Sequence, residues 1–446
     1  MRRYIAADFG AGSGRVIIGT FSGGNVELEE VHRFPNRQIC LGGTLYWDFP
    51  ALFEELKTGL KKAFAKYDGI VSIGVDTWGV DFGLLDSQGR LLSNPVCYRD
   101  KRTNGILRNV FETIPESELY RLTGNQFMEI NTAFQLYSMV CQDDPLLKIA
   151  DKLLFIPDLF NYFLTGVTAN EYTISTTSQL FQHATGGWAE KVFSKLGISQ
   201  SLMQKIVPSG TVIGKLLSEV VMETGGKDVQ VVAVGSHDTA SALASIQATG
   251  KNWAFISSGT WSLMGIETDR PILTQEAMEG DFTNEGTVSG KIRFLRNITG
   301  LWLLQNVVRE LKLKGEECSY AEMIAEAEQS ALQSVVDVDA PCFNKPESMC
   351  EAIADYCRQR GMQSPQTPGE FMRCIVLSLA TKYGEVKRML EKCSGRKINT
   401  IYVVGGGSQN SLLNKMTEKL TGARVVAGAV EATAIGNILC QKSAVG

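Results

Sequence analysis

The chain has 446 residues and a formal net charge of −4, from 44 basic and 48 acidic side chains. Mixed charge argues against nucleic acid or an anionic membrane as the main partner, and the length predicts two domains. No apolar run approaches the ~18 residues of a membrane span and no signal-peptide core follows the N-terminus, so a cytoplasmic protein is expected. Ten cysteines without CxxC pairs and three histidines argue against zinc. Cys357 and Cys374 could meet in space, which leaves a pairing open, but reduced thiols are the default expectation.

The first predicted element is a β-hairpin. An apolar strand ends at Phe9, a second begins near Val16, and the turn between them is Gly10-Ala11-Gly12-Ser13-Gly14. Glycines and a small hydroxyl let the backbone approach an oxyanion closely and direct N–H and O–H donors at it. A single hairpin of this kind usually has no phosphate-binding role.

The elements that follow alternate between strand and helix. They are predicted as strands at 26–34, 70–75 and 229–234, helices at 49–64 and 153–164 (ending at Thr165-Gly166), a mostly helical region over 115–230, and a helix starting at Asp238.

A second hairpin of the same type spans Trp253–Gly265, with a turn around Ser258-Gly259-Thr260. Two such hairpins suggest a duplicated domain with a nucleotide between the copies, as in an ATP-using enzyme. We place the domain junction near 245–250 and divide the chain into domains 1–246 and 247–446.

The second half contains a predicted helix at 301–311 and a long helix opened by a capping box, Thr367 to Glu370, with Pro368 in its first turn. A strand at 400–404 leads into three glycines, 405–407, and a helix from about Gln409.

Three familiar chemistries are disfavoured. The chain has no GxxxxGK[ST] segment, so a Walker-type phosphate loop is excluded. Gly10, Gly12 and Gly14 do not follow GxGxxG and precede a strand, which argues against a dinucleotide Rossmann site. Ser236, His237 and Asp238 do not indicate a hydrolase triad, because three consecutive residues cannot line up in space as nucleophile, base and orienting acid.

Six segments together resemble the FGGY carbohydrate kinases, over residues 4–440. They are Asp8–Arg15, Asp76–Asp81, Tyr98–Thr103, Ser236–Thr239, Ser257–Ser262 and Val404–Asn410. The resemblance implies an α/β fold of two ribonuclease H-like domains of the actin and hexokinase type, with a central ligand cleft. Its N-terminal domain is expected to hold the sugar, the first phosphate hairpin and the catalytic aspartate, and its C-terminal domain to bind ATP. Members usually continue past the helix that ends here near Cys440, so a final packing helix is expected to be missing.

The implied reaction is the phosphorylation of L-rhamnulose by ATP to L-rhamnulose 1-phosphate, with Mg2+, in rhamnose catabolism. Phosphoryl transfer needs positioning, charge neutralisation and one group that accepts the hydroxyl proton. Asp238, where a strand meets a helix, is the predicted general base, although an aspartate there can also cap the helix. Asp8 is assigned to Mg2+ through a bound water, because an acid beside a phosphate turn needs a cation between them and this ion keeps much of its hydration. An Asx-type turn is the alternative.

The remaining site residues follow from the resemblance. Those assigned to ATP are Ala11, Gly12, Ser13, Gly14, Arg15, Gly259, Thr260, Gln305 and Gly406, with Asn410 as a weaker candidate. Those assigned to the sugar are Trp78, Gly79, His237, Thr239 and Asn297, the last expected just after a strand 292–295. Trp78 would offer a flat wall and one donor, although a tryptophan is more often core, and His237 can instead brace its loop. Asp100 and Arg102 are expected to form a structural ion pair.

Two alternatives remain open at the level of sequence. The chain could be a kinase for another ketose such as L-fuculose or L-xylulose, because a methyl pocket is worth only ~1–3 kcal/mol and no motif marks its lining. It could also be an ATP-binding module or sugar sensor without kinase activity. The expected partners are a small sugar and ATP, with no nucleic acid or membrane, and the protein is expected to be a monomer or a small homo-oligomer.

Overall fold

The computed structural model describes residues 2–22, 25–315 and 319–446. Up to Ser245 the strands are β1 (Arg3–Phe9), β2 (Ser13–Ser22), β3 (Asn25–Pro35), β4 (Gln38–Leu41), β5 (Thr44–Trp47), β6 (Ile70–Thr77), β7 (Phe82–Leu85), β8 (Lys152–Phe155), β9 (Asn170–Glu171), β10 (Phe181–Gln182), β11 (Gly187–Trp188), β12 (Ile206–Val207), β13 (Thr211–Lys215) and β14 (Gln230–Ala233). The helices of this part are α1 (Phe49–Lys66), α2 (Ile106–Thr113), α3 (Glu116–Thr123), α4 (Thr132–Cys141), α5 (Leu146–Ile149), α6 (Ile156–Thr165), α7 (Tyr172–Ser175), α8 (Glu190–Leu196), α9 (Ser218–Thr224) and α10 (Asp238–Ala244).

The later strands are β15 (Trp253–Ser258), β16 (Trp261–Thr268), β17 (Thr283–Gly286), β18 (Ile292–Thr299), β19 (Thr400–Val404) and β20 (Arg424–Ala427). The later helices are α11 (Gln275–Glu279), α12 (Trp302–Leu313), α13 (Tyr320–Gln329), α14 (Met349–Gln359), α15 (Pro368–Ser394), α16 (Ser411–Thr421) and α17 (Ala432–Val445). Within the described residues, no helix combines the length and the apolar composition that crossing a membrane requires.

The chain forms two compact units. Unit 1 comprises the chain up to Ser245 together with Thr268–Phe294 and Ala432–Gly446, and unit 2 comprises Ile246–Glu267 and Leu295–Glu431. The chain thus leaves unit 1 at Ser245 and returns to it twice. The predicted domains, 1–246 and 247–446, do not include these two returns. Its last helix returns because α17 buries Ala434 and Ile438 against β1 and β2.

A six-stranded sheet forms the centre of unit 1, in the order β13–β14–β6–β1–β2–β3. Strands β14, β6 and β1 are parallel neighbours, and β2 pairs antiparallel to β1. The parallel strands are covered on both faces, so they are nearly continuous apolar runs. Leu52, Leu56 and Leu60 of α1 belong to the core cluster that also holds Ile5 of β1.

The hairpin strands of unit 2 belong to a second six-stranded sheet, in the order β17–β18–β16–β15–β19–β20. Its hairpin strands β15 and β16 are antiparallel, and β19 lies parallel to both β15 and β20. From β18 to β20 this order corresponds to β3–β2–β1–β6–β14 of the first sheet. The predicted α/β class and the repeated hairpin arrangement are confirmed.

The predicted helix over 153–164 is wrong in its first part. Residues 152–155 form β8, which pairs antiparallel with β7, and α6 begins only at Ile156. Pro157 lies in the first turn of α6, where its missing N–H costs nothing, whereas a helix already running from Leu153 would place the proline ring against a carbonyl four residues back. The predicted end at Gly166 is confirmed, since Gly166 has φ of 75°.

The capping box predicted at the start of α15 is half formed. Thr367 accepts the N–H of Glu370 as expected, but Glu370 Oε2 accepts the N–H of Gln366 at 2.7 Å instead. Further along, Cys374 of α15 and Cys357 of α14 are buried free thiols that are hydrogen-bonded to each other.

Candidate active site

The first hairpin turn of unit 1 is braced from a neighbouring strand. Gly10 N–H donates to Ser13 O at 2.9 Å, which closes the turn. Asn36, directly after β3, donates its backbone N–H to Gly12 O at 3.1 Å and its Nδ2 to Gly10 O at 2.9 Å. Asn36 was not among the predicted site residues, since the sequence marks it only as a polar residue directly after the strand that pairs with β2.

Within the turn the two outer glycines differ. Gly12 is exposed with nothing within 4 Å of where a Cβ would lie, so a ligand can approach its backbone. Gly14 is buried in β2, where a Cβ would lie 2.3 Å from the Phe34 ring. The packing of Phe34 therefore explains the glycine at position 14. The Arg15 guanidinium donates to Asp8 Oδ2 at 2.5 Å.

Three carboxylates lie at or just beyond the ends of three adjacent parallel strands. Asp8 lies near the end of β1, Asp76 lies opposite it in register on β6, and Asp238 follows β14. Thr77 N–H donates to Ser236 O at 2.9 Å, which joins the end of β6 to the segment that carries Asp238. Burial raises the pKa of Asp76 well above its usual range, and the negative charges of Asp8 and Asp238 add to this shift. The motif 76–81 contained Asp76, but its chemistry was not anticipated.

Asp238 is the first residue of α10, and the helix cap is His237, whose side chain accepts the N–H of Thr239. Capping therefore does not account for Asp238. The Asp238 side chain is 35% exposed and accepts a hydrogen bond from Thr239 Oγ1 at 3.1 Å. Burial alone would raise the pKa of Asp238, but His237 and the hydrogen bonds from Thr239 outweigh burial and hold it below its ordinary value. The carboxylate is ionised at neutral pH, as a general base requires.

His237 and Gly79 lie side by side. Nδ1 of the ring is 3.1 Å from both Thr239 N and Asp238 Oδ1. A Cβ on Gly79 would lie 3.0 Å from His237 Nε2 and from Cδ2. Gly79 thus leaves space beside Nε2, the ring nitrogen that points away from the Asp238 carboxylate.

Trp78 is only 6% exposed, and its indole N–H is used inside the protein. Nε1 donates to Asp81 Oδ2 at 3.0 Å, and the ring packs on Trp47 at 4.3 Å between centroids. The donor that sequence analysis offered to a sugar is therefore committed to Asp81, and any ligand contact of Trp78 is made by the ring.

Asp81 is a buried carboxylate with four donors. They are Trp47 Nε1 at 2.6 Å, Trp78 Nε1 at 3.0 Å, Tyr98 N at 3.1 Å and Gln135 Nε2 at 2.9 Å. Burial raises the pKa of Asp81 to about 6, and these hydrogen bonds oppose the shift. The carboxylate fixes the segment that follows β6.

The backbone between Gly79 and Asp81 is strained. Asp81 N–H donates to Gly79 O at 2.9 Å, and Val80 between them has φ of 68°. A β-branched residue in this region costs about 1–3 kcal/mol. Thr132 Oγ1 donates to Val80 O at 2.7 Å and helps to hold this conformation. Such strain concentrates at functional sites. Nothing in the sequence could predict positive φ at a valine.

In unit 2 the second hairpin turn is held at the start of α12. Leu301 N–H donates to Gly259 O at 2.9 Å, and Gly300 N–H donates to Thr260 O at 3.1 Å. Thr260 Oγ1 donates to Gln305 Oε1 at 3.2 Å. Three residues assigned to ATP from separate parts of the chain, Gly259, Thr260 and Gln305, are thus brought together.

Two of the three glycines 405–407 lie against the end of β15, and the third is open to solvent. Gly405 has φ of 82°, and a Cβ there would lie 3.0 Å from Ser258 O. A Cβ on Gly407 would lie 2.0 Å from Ser258 Oγ, whereas Gly406 is exposed with open space above it. Only glycine lets this turn lie on the end of β15, next to Gly259.

Three expectations need correction. Asn297 lies inside β18, in unit 2, because that strand continues to Thr299. Asn410 is 2% exposed and caps α16, accepting Leu413 N–H and donating to Tyr320. The guanidinium of Arg102 donates to Gln135 Oε1 at 2.6 Å, while its backbone N–H donates to Asp100 at 2.9 Å, so the expected side-chain ion pair is replaced by a turn and an amide contact.

Known proteins resemble the chain over its whole length. It is 44% identical over 446 residues to a rhamnulokinase of Bacteroides thetaiotaomicron, covering 100% of this chain and 91% of that protein. It is 41% identical to a rhamnulokinase of Oceanobacillus iheyensis, covering 99% and 93%. Residues 3–245 match the N-terminal domain, and residues 254–445 the C-terminal domain, of the FGGY family of carbohydrate kinases.

Solved structures share the fold at low sequence identity. A ligand-bound xylulose kinase from Lactobacillus acidophilus superposes with a TM-score of 0.82 at 16% identity, covering 100% of this chain and 90% of that chain. A glycerol kinase from Plasmodium falciparum with ADP gives 0.80 at 17%, with the same coverage. The predicted actin and hexokinase type of fold is thereby confirmed. From its two matched domains and its full-length relatives, the chain belongs to the FGGY family of carbohydrate kinases.

Proposed function

We propose that this protein transfers the terminal phosphoryl group of ATP to the primary hydroxyl of L-rhamnulose, giving L-rhamnulose 1-phosphate. The observation that carries the proposal is the position of Asp238. It follows the end of a central parallel strand, is partly exposed, and is ionised at neutral pH. In open α/β sheets ligands bind beyond the carboxyl ends of the strands, so this carboxylate is where a substrate hydroxyl would arrive.

In the proposed reaction, Asp238 accepts the proton of the sugar hydroxyl as that oxygen attacks the terminal phosphorus. The hydroxyl must come within ~2.6–3.2 Å of the carboxylate and in line with the phosphoryl group. His237 and Gly79 beside Asp238 are assigned to the sugar, together with Thr239, Asn297 and the ring of Trp78. Desolvating a sugar hydroxyl without a partner is costly, so these contacts would select the configuration of the ring carbons.

The phosphate groups of ATP are assigned to the two hairpin turns. In unit 1 these are Ala11, Gly12, Ser13, Gly14 and Arg15, of which Gly12 offers the most accessible backbone. In unit 2 they are Gly259 and Thr260, joined to Gln305. The exposed Gly406 would lie along the adenosine.

The residues present also fit a magnesium ion. Mg2+ binds oxygen ligands and keeps several of its waters, so a site needs few protein ligands. Asp8 supplies a carboxylate beside the phosphate turn, and Asp76, its register partner, has a buried oxygen that no described residue contacts by a hydrogen bond. When bound, the ion would neutralise phosphate charge. Cytoplasmic location and a monomeric or small homo-oligomeric state remain part of the proposal.

A coupled ADP assay over a panel of ketoses, aldoses and polyols tests the proposed substrate. We expect L-rhamnulose to give the highest kcat/KM, L-fuculose and L-xylulose to be slower, and glycerol and aldoses to be poor. If glycerol or D-xylulose were faster than L-rhamnulose, the sugar assignment would be wrong and the kinase assignment would stand. If no sugar stimulated ADP release, the kinase assignment would be wrong.

Gly79→Ala tests the space beside His237. The new Cβ would lie 3.0 Å from the ring, so the imidazole must shift by a few tenths of an ångström. Because small displacements of positioning groups weaken catalysis strongly, we expect kcat/KM for the sugar to fall by roughly 10-fold, with unchanged binding of an ATP analogue. Gly187→Ala is the matched control, since nothing lies within 4 Å of a Cβ there. Equal kinetics for both variants would exclude a role for Gly79.

A further inference from the structure

We propose that Asp76 is a positioning residue for magnesium, whose free oxygen accepts a hydrogen bond from a water of the ion held by Asp8. This inference rests on the proposed kinase function and assigns a second carboxylate to its metal site. It follows from where Asp76 lies, how one of its oxygens is held, and what surrounds the other.

Asp76 occupies the middle of three neighbouring strand ends. Its Cα is paired with that of Asp8 on β1, and the strand on the other side of β6 is β14, which leads to Asp238. Asp76 is completely buried and Asp8 is 7% exposed. A carboxylate is therefore fixed between the proposed metal ligand and the proposed base.

One oxygen of Asp76 is held by an amide from the last helix. Asn437 Nδ2 of α17 donates to Asp76 Oδ2 at 2.5 Å and also contacts Gly74 O at 3.1 Å. Gln441, one turn later, donates to Asn437 Oδ1 at 2.6 Å and to Ile5 O at 2.8 Å. These buried amides fix the orientation of the Asp76 carboxyl group against the sheet.

The other oxygen, Asp76 Oδ1, is buried and has no partner among the described residues. A buried acceptor without a partner costs about 1–3 kcal/mol, and native proteins rarely retain one without a function. The charged neighbours of Asp76 include the negative Asp8 and Asp238 and the positive Arg15. Several carboxylates around one guanidinium repel one another, and a divalent cation would balance them.

The hydration chemistry of Mg2+ favours a contact through water between the ion and Asp76 Oδ1. Mg2+ dehydrates reluctantly and usually keeps several waters, and each of these waters is a strong hydrogen-bond donor. A divalent cation nearby favours the ionised form of the Asp76 carboxyl group, which only accepts hydrogen bonds, so Oδ1 is suited to such a water. Groups that hold a metal's ligands typically change metal affinity by ~10–100-fold when they are removed.

Asp76→Asn separates this role from a structural one. The amide oxygen of asparagine can still accept from Asn437, but its NH2 puts a donor where a metal-bound water needs an acceptor. The matched control is Ser72→Ala. Ser72 lies on the same strand, is completely buried, and donates to Gln441 Oε1 of the same helix at 2.7 Å. It is four residues from Asp76, which is about 13 Å along an extended strand. Asp76→Ser, smaller and neutral, is the second variant if the asparagine protein does not fold.

The readout is metal binding without turnover. The affinity for a non-hydrolysable ATP analogue is measured by calorimetry in EDTA and in Mg2+, without sugar, and Mn2+ binding is followed by electron paramagnetic resonance. We expect Asp76→Asn to bind the analogue normally in EDTA, to lose ~10-fold or more of the affinity gained with Mg2+, and to bind Mn2+ correspondingly more weakly. Ser72→Ala should keep the full gain.

A full Mg2+-dependent gain in Asp76→Asn would overturn the inference, and so would equal losses in Asp76→Asn and Ser72→Ala, because Asp76 would then act only through the fold. A wild-type protein that gains no affinity with Mg2+ would also overturn it. A wild-type protein that gains affinity with Mg2+ but releases no ADP with any sugar would instead disprove the proposed function and leave the role of Asp76 standing.

Discussion

Asp238→Asn is expected to lower kcat by ~10²–10⁴-fold, the usual contribution of a positioned general base, while the binding of an ATP analogue stays unchanged. Asparagine keeps the size of the side chain and can still accept from Thr239 Oγ1, but it cannot take the proton of the sugar hydroxyl. Single-turnover measurements with saturating sugar and ATP would report the chemical step directly.

The control for this substitution is Asp48→Asn. Asp48 caps α1 by accepting Ala51 N–H, and asparagine caps helices as well as aspartate does. The control should therefore keep both stability and turnover. Wild-type kcat in Asp238→Asn would exclude Asp238 as the base, and a loss of analogue binding would show that the residue acts through nucleotide affinity instead.

Gly436→Ala is expected to be among the most destabilising single-methyl additions in unit 1. A Cβ on Gly436 of α17 would lie 1.7 Å from Ser241 O and 2.6 Å from Ser241 C. Both are backbone atoms of α10, so no side-chain rotation can relieve the overlap and one helix must move. Overpacking usually costs about 1–3 kcal/mol and more where the backbone must shift, so we expect a loss of ~3 kcal/mol or more in the free energy of unfolding, measured in urea.

Because α10 begins at Asp238, Gly436→Ala should lower kcat as well as stability. Gly384→Ala provides the comparison, since Gly384 is also inside a helix, α15, but its Cβ would approach no atom closer than 3.4 Å. There the added methyl should be neutral, or stabilising by up to ~1 kcal/mol through helix propensity. Unfolding of Gly436→Ala at the wild-type urea concentration would contradict the close contact of the two helices.

The structural features that the sequence predicts correctly are those that depend only on the types of neighbouring residues. Glycines and small hydroxyls predict the tight turns at Gly10–Gly14 and Ser258–Thr260. The apolar run that ends before Asp76 predicts a buried strand. The helix that starts at Asp238 is equally local. Each of these depends on a few neighbouring positions, so backbone sterics and hydrophobic spacing suffice.

The features that sequence could not predict depend on partners distant in the chain. Asn437 and Asp76, which bond each other, are separated by 361 positions, and Gln441 and Ile5 by 436. The role of Asp81 as acceptor for two tryptophans, and positive φ at Val80, likewise arise from tertiary contacts that override local preference. A helix is predicted over residues 153–155, which form part of β8, because their apolar side chains suit a helix as well as a strand. Only the pairing with β7 distinguishes the two.

The return of α17 to unit 1 has a consequence for biosynthesis. Residues 246–431 are made between the first 245 residues and this helix, most of them belonging to unit 2. At ~5–20 residues per second, the ribosome needs roughly 10–40 s for that stretch. During this interval the nascent sheet of unit 1 lacks the amides of Asn437 and Gln441 and the apolar cover of Ile438, so its face remains open to chaperones and to wrong partners. Completion of unit 1 therefore depends on the synthesis of α17 and cannot follow directly from the emergence of its first 245 residues.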